Sequence, residues 1–159
     1  KYNYFELSTL AGEAEPFTAF IDPDHAAFAS PGGMPDKIRA FCERTGQAVP
    51  RDHGEILRVA TESLALKYRV VYERVRELTG RDFARLHAGG GGIQKELLSQ
   101  ATADALGIEV IAGPVEATSC GVGSVRGSSP GIALKRISVR TAPGSNRLTR
   151  MGVFSVSSA

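Results

Sequence analysis

From residue 54 to residue 79 apolar positions recur at alternating spacings of four and three: Leu57, Thr61, Leu64, Tyr68, Val71, Val75 and Leu78. That period predicts one long amphipathic helix whose stripe faces a core over about seven turns. Gly80 would stop it. Glu62, Lys67, Arg74, Glu77 and Arg81 read as its solvated face, and Tyr68 as packing. Two shorter helices precede it. Tyr4, Leu7, Leu10 and Ala11 give an amphipathic run over residues 4–14 that Pro16 closes. A second helix is predicted to start near Met34-Pro35-Asp36, since proline is tolerated in a first turn and an early aspartate suits the helix dipole. Ile38, Phe41 and Cys42 would be its buried positions and Gly46 its stop. The stretch between, residues 17–31, has turn chemistry at Ile21-Asp22-Pro23-Asp24, with Phe17, Phe20 and Phe28 as apolar anchors.

After residue 80 the period changes. A short apolar run, residues 83–88, is followed by four glycines at 89–92 and a helical pattern from Ile93 to Leu106. Gly107 is placed as its C-cap, and Ile108-Glu109-Val110-Ile111-Ala112 reads as another strand. Strand, helix and strand at this length imply a parallel pair with a right-handed crossover, hence an α/β class, helix-rich with a short parallel strand pair. Residues 113–118 resemble the entry to a further helix, with Glu116 in or near its first turn.

The four glycines admit two readings. They can be a tight turn and nothing more. They can also be a phosphate cradle, because glycine lets a ligand approach the backbone and the amides would stand at a helix start with the positive end of the dipole behind them. Two phosphate motifs are excluded. A Walker loop needs Lys and then Ser or Thr after its last glycine, where this chain has Ile93-Gln94. The dinucleotide fingerprint starting at Gly89 needs glycine at 94, and its acid belongs at the end of the second strand, whereas Glu109 stands at a strand's start.

Composition narrows the class further. The 159 residues, 42% of them hydrophobic, make one domain's worth of chain without a long apolar run. The chain opens on Lys1 and is read as a piece of something longer. Cys42 and Cys120 have no CxxC spacing and suit a reducing cytoplasm, while His25, His53 and His87 stand singly, so no protein-bound metal is expected. The net charge of +2 hides an asymmetry: after Glu116 there are six basic residues and no acid. The tail from Gly121 is broken by glycine, serine and proline and is expected to be poorly ordered. It carries one aromatic, Phe154, and no nucleic-acid motif, so neither nucleic acid nor membrane is expected as a partner.

Several stretches resemble the FGGY carbohydrate kinases: Phe20-Ile21-Asp22-Pro23-Asp24; Met34-Pro35; Ile38-Arg39-Ala40-Phe41-Cys42; Thr45-Gly46-Gln47 with Val49-Pro50; the run from Glu62 to Arg69; Gly90-Gly91-Gly92 with Gln94; Gln100 with Ala103-Asp104; and residues 112–118. Together they cover about residues 3–121, and the aspartate-proline segment and the Ser63-to-Tyr68 run resemble the branch acting on L-rhamnulose. The resemblance implies part of an actin- and hexokinase-like (ribonuclease H-like) ATPase domain: residues 3–120 as a partial C-terminal nucleotide-binding domain, and 121–159 as a divergent basic tail. It implies transfer of the γ-phosphoryl of ATP, with Mg²⁺ carried on the phosphates, to the 1-hydroxyl of L-rhamnulose. Gly90, Gly91 and Gly92 would lie against the phosphates and ribose, with Gln94 and Lys95 near the adenosine. The catalytic base and sugar contacts belong to a missing upstream domain, so no residue here is nominated as catalytic or as a metal ligand, and the chain alone is expected to be inactive. The alternatives are a non-catalytic nucleotide-binding remnant, an interaction fragment, or a kinase for another ketose or deoxy sugar.

Departures from the family pattern are specific. Gly89 is an extra glycine, Ile93 replaces the usual Ser, and Lys95 stands for the usual Asn. After Gly121 the family continues with Asn and an Ala- and Leu-rich helix, where this chain has Val122-Gly123-Ser124, a break read as translation in a shifted frame. Without that helix each large apolar neighbour would forgo about 1.5–3 kcal/mol of burial.

Overall fold

A computed structural model describes residues 3–89, 96–112 and 135–138. Along them run α1 (Tyr4–Glu13), a single 3₁₀ turn (Ala26–Phe28), α2 (Met34–Arg44), α3 (His53–Thr79), β1 (Arg85–Ala88), α4 (Glu96–Leu106), β2 (Glu109–Ala112) and β3 (Lys135–Ile137).

Helix boundaries follow local chemistry. Asn3 caps α1: its side chain accepts the Glu6 amide while the Glu6 carboxylate accepts the Asn3 amide, both at 2.9 Å, a reciprocal box that satisfies two otherwise orphaned donors. Asp52 does the same for α3 by accepting from the Glu55 amide. Gly80 ends α3 at φ 62°, in the left-handed region glycine enters without steric cost, and donates to the Arg76 carbonyl.

Helix α3 is the axis of the molecule, contacting α1, α2 and α4. Its first half is fully engaged. Gly54 is buried where α1 crosses: a Cβ there would stand 2.8 Å from the Leu10 backbone, so only glycine permits this approach. Ile56 and Val59 join Ala19, Ile38 and Cys42 in one core, with Ile21, Phe28 and Ala60 packed against it. Burial pushes the Cys42 thiol pKa up.

Beyond that core the stripe departs from expectation. Leu57, Thr61 and Leu64 are half-buried, but Tyr68, Val71, Val75 and Leu78 are exposed, Val71 to 50% and Leu78 to 86%. Periodicity records which face is apolar; in the second half of α3 that face borders a cavity opposite α4 and the sheet and stays partly open among the described residues. Glu62 is the opposite correction. Assigned to the solvated face, it is 3% exposed and ion-paired with Arg58. A carboxylate tolerates such burial only with partners, and here a loop amide and a guanidinium supply them. Lys67, also assigned to that face, is engaged by two aspartates.

The sheet is small and mixed, ordered β1-β2-β3. β1 and β2 are parallel, Arg85 opposite Glu109 and Ala88 opposite Ala112, with α4 as the crossover. Gly107 ends α4 at φ 70°, donating to the Ala103 carbonyl. β3 adds antiparallel to β2 with Ile137 opposite Val110, and Ile137 joins Ala103, Val110 and Ala112 in a second core. The sequence reading placed no strand at 135–137. The remainder of 121–159 lies outside the described residues, as do 113–118, read as a helix entry.

Candidate nucleotide-binding site

The glycine run leaves the carboxyl end of a parallel strand. β1 closes at Ala88, Gly89 follows exposed, and α4 begins at Glu96. In open α/β sheets this is where ligands bind, because the strand ends leave a crevice and the next helix presents unpaired amides and its positive dipole end. The two strand ends there, Ala88 and Ala112, are register partners and both small, so no bulky side chain stands over the crevice from them. Gly90, Gly91, Gly92, Gln94 and Lys95, the residues assigned to the nucleotide, lie outside the described residues, as does Ile93.

Charge sorts to the other end of the sheet. Glu109, at the amino end of β2, accepts from Arg85 Nε at 3.0 Å and faces Arg136 Nε at 3.9 Å. It is thus an internal counter-ion, in keeping with its exclusion as a ribose-binding acid. No group of three or more His, Cys, Asp or Glu is placed to hold a metal among the described residues.

The motifs most specific in sequence converge elsewhere, on the loop over residues 17–24. Glu62 Oε2 accepts from the Phe17 amide at 2.8 Å, and Ser63 Oγ accepts from the Ile21 amide at 2.9 Å while donating to the Val59 carbonyl. Gln47 grips Phe20 from both sides, its Oε1 accepting the Phe20 amide at 2.7 Å and its Nε2 donating to the Phe20 carbonyl at 2.8 Å. Lys67 Nζ donates to Asp22 Oδ1 at 2.9 Å and pairs with Asp24 Oδ2 at 2.7 Å. These bonds hold the Lys67 ammonium pKa above its usual value and the Asp22 carboxyl below its own. Side chains of α3 and of the turn after α2 thus satisfy a loop that has no strand partner, and Phe17 is held at φ 62°. Arg58 completes the clamp by donating to the Ala11 carbonyl at 3.2 Å, which ties α1 to the same carboxylate. No described buried side-chain nitrogen or oxygen lacks a hydrogen-bond partner. The clamp ties the loop to α3 and to the turn after α2, while the Asp22 and Asp24 side chains remain largely exposed.

A cavity of about 700 Å³ lies between α3, α4 and the sheet. Tyr68, Val71, Tyr72, Val75, Leu86 and Leu98 are among its walls, and it runs to Ala88 and Gly89. Tyr72 donates to the Phe83 carbonyl at 2.9 Å and fixes the turn into β1. The apolar period of α3 does not by itself place this cavity, which also needs α4 and the sheet beside it.

Helices packed on a mixed sheet that contains a crossover-linked parallel pair define an α/β architecture. The solved xylulose kinase from Rhodospirillum rubrum shares this fold, with a TM-score of 0.57 over 92% of this chain and 32% of that one at 18% identity. Residues 2–124 match the FGGY family of carbohydrate kinases, C-terminal domain, and the chain belongs to that family. It is 50% identical over 119 residues to a rhamnulokinase of Bacteroides thetaiotaomicron, covering 75% of this chain and 24% of that protein. It is also 42% identical over 123 residues to one of Enterococcus faecalis, covering 76% and 25%. The chain therefore spans about a quarter of the length of the curated relatives it matches.

Proposed function

We propose that this chain supplies the nucleotide-holding part of an ATP-dependent sugar kinase that phosphorylates the 1-hydroxyl of L-rhamnulose, with residues 3–120 as the working unit and 121–159 as a divergent tail. The observation that supports the reading is that β1, a strand of a parallel pair, ends at Ala88 and its crossover helix α4 begins at Glu96, the glycines falling between them in the sequence, in a chain of a carbohydrate-kinase family. The rhamnulokinase relatives support this sugar over another ketose.

In this reading Gly90, Gly91 and Gly92 bring backbone amides to the β- and γ-phosphates, where the charge of the transferring group is spread, and α4 points its dipole at them. Gln94 and Lys95 flank the adenosine. Mg²⁺, when bound with the nucleotide, would supply neutralisation of the phosphate charge, with no ligand assigned to it from this chain. Ala88 and Ala112 keep the approach to the amides open. The residue that takes the proton from the sugar hydroxyl, and the sugar contacts, belong to polypeptide outside this chain, so the 159 residues alone transfer no phosphate. A cytoplasmic setting suits the free, buried Cys42 thiol.

Calorimetric titration with MgATP tests the reading. Weak binding by the wild-type chain that is lost in Gly91→Val, with the melting transition unchanged, is the expected result. Equal binding by both chains removes the glycines from the site, and phosphorylation of L-rhamnulose by the chain alone contradicts the division of labour.

A further inference from the structure

Strand β2 is the apolar strand of the sheet: after Glu109 it runs Val110-Ile111-Ala112, and all three are buried. One side of β2 carries β1 and the other carries β3, so this chain itself occupies both. The two partners differ in origin. β1 lies within residues 2–124, which match the carbohydrate-kinase domain, whereas β3 lies past them, in the basic tail.

Three contacts besides the ladder seat β3. Ile137 stands opposite Val110 and enters the second core with Ala103 and Ala112. Gln100 of α4 donates from Nε2 to the Ser138 carbonyl at 3.0 Å, so the segment is tied to a helix as well as to the sheet. Arg136 Nε lies 3.9 Å from Glu109, whose other oxygen accepts from Arg85, and one carboxylate thus stands between bases from both flanking strands. The Arg136 side chain is 68% exposed, so this pair contributes little energy, but it favours a basic segment on that side of β2.

Vacating that side would leave β2 with an apolar edge, the template on which another chain adds. A second copy fits it. Two β2 strands paired antiparallel about a two-fold axis at Val110 would set Val110 against its own copy and Glu109 against Ile111, with no like charges opposed. β3 puts there three residues of which two are basic, Lys135 and Arg136, and short charged strands are poor templates. We infer that residues 135–138 are an intramolecular edge cover: a segment from outside the family match that occupies the side of β2 on which a second copy of this chain would otherwise pair. This goes beyond the nucleotide reading and does not rest on it. Loss of MgATP binding would leave it standing.

The test uses the full 159-residue chain. Ile137→Asp puts a carboxylate at a buried position of β3 and is expected to speed amide exchange across Glu109–Ala112 about tenfold or more while the 17–24 loop stays unchanged. Sedimentation of the variant is expected to show a concentration-dependent dimer that the unaltered chain does not form, and a synthetic peptide of residues 133–140 in excess should return it to monomer. Arg136→Glu leaves the core intact, sets like charges together beside Glu109, and should speed the same exchange about two- to threefold. A variant Ile137→Asp that stays monomeric, or a dimer that the peptide does not dissolve, overturns the proposal. Faster exchange that extends equally to the 17–24 loop makes Ile137 an ordinary core residue and overturns it as well. If Ile137→Asp does not fold, Arg136→Glu decides alone: faster exchange confined to β2 supports the cover, and unchanged exchange refutes it.

Discussion

The two halves of α3 are one helix in two different environments. From His53 to Lys67 its side chains are committed: Gly54 admits α1, Ile56 and Val59 fill a core, and Glu62, Ser63 and Lys67 hold the 17–24 loop. From Tyr68 to Thr79 the same apolar period runs on, and Val71, Val75 and Leu78 stand exposed, the first two beside an apolar cavity. A helical period therefore specifies a face, while burial depends on what the rest of the chain brings to it.

The largest way to break that contrast is at the clamp. Glu62→Ala removes the carboxylate that pairs with Arg58 and accepts the Phe17 amide, leaving a half-buried guanidinium and a loop amide without their partner. A loss of about 3–5 kcal/mol is expected in urea unfolding, the cost of orphaning a buried ion-pair partner. A smaller break comes at the helix crossing: Gly54→Ala forces a methyl against the Leu10 backbone and should cost about 1–3 kcal/mol in the same measurement.

Smaller again is the pH dependence of the Lys67 bridge to Asp22 and Asp24. The Asp22 pKa is lowered in the folded state, so its contribution is present above the unfolded carboxyl value and is lost as pH falls through the folded one. The Lys67 pKa is raised, so its contribution is present below the unfolded ammonium value and is lost as pH rises through the folded one. Stability should therefore hold a plateau between the two and decline on both sides. Both aspartates are largely exposed, so the amplitude should be about 0.2–1 kcal/mol, and Lys67→Met should flatten it. The smallest effect is expected from Val75→Asp, within about 0.5 kcal/mol in the free chain, because the position is already solvated. A loss of several kcal/mol there would mean that the second half of α3 is packed after all and would erase the contrast.

What could be read in advance divides along the same line. Helix α2, the ends of α3 and α4 at Gly80 and Gly107, and the parallel pair were legible because caps, stops and periods are local signals. The Asn3–Glu6 box was equally local, three residues apart, and was open to the same reading. Burial of Glu62 was not legible, since its partner amide on Phe17 is 45 residues away. Nor was β3, whose three residues become a strand only through pairing with β2. At the candidate site, the strand that delivers the glycines and the helix behind them were legible from the change of period around residues 83–106, and the structure places both. The motifs with the most specific resemblance make contact with one another in the clamp, where they hold the 17–24 loop.

The central claim is that the end of β1 and the start of α4 hold a nucleotide. Amide hydrogen exchange of the whole chain with and without MgATP tests it most directly. Protection confined to Gly89 and the first turn of α4, with the 17–24 loop unchanged, is the predicted result; unchanged exchange at both of those places under saturating nucleotide would contradict it.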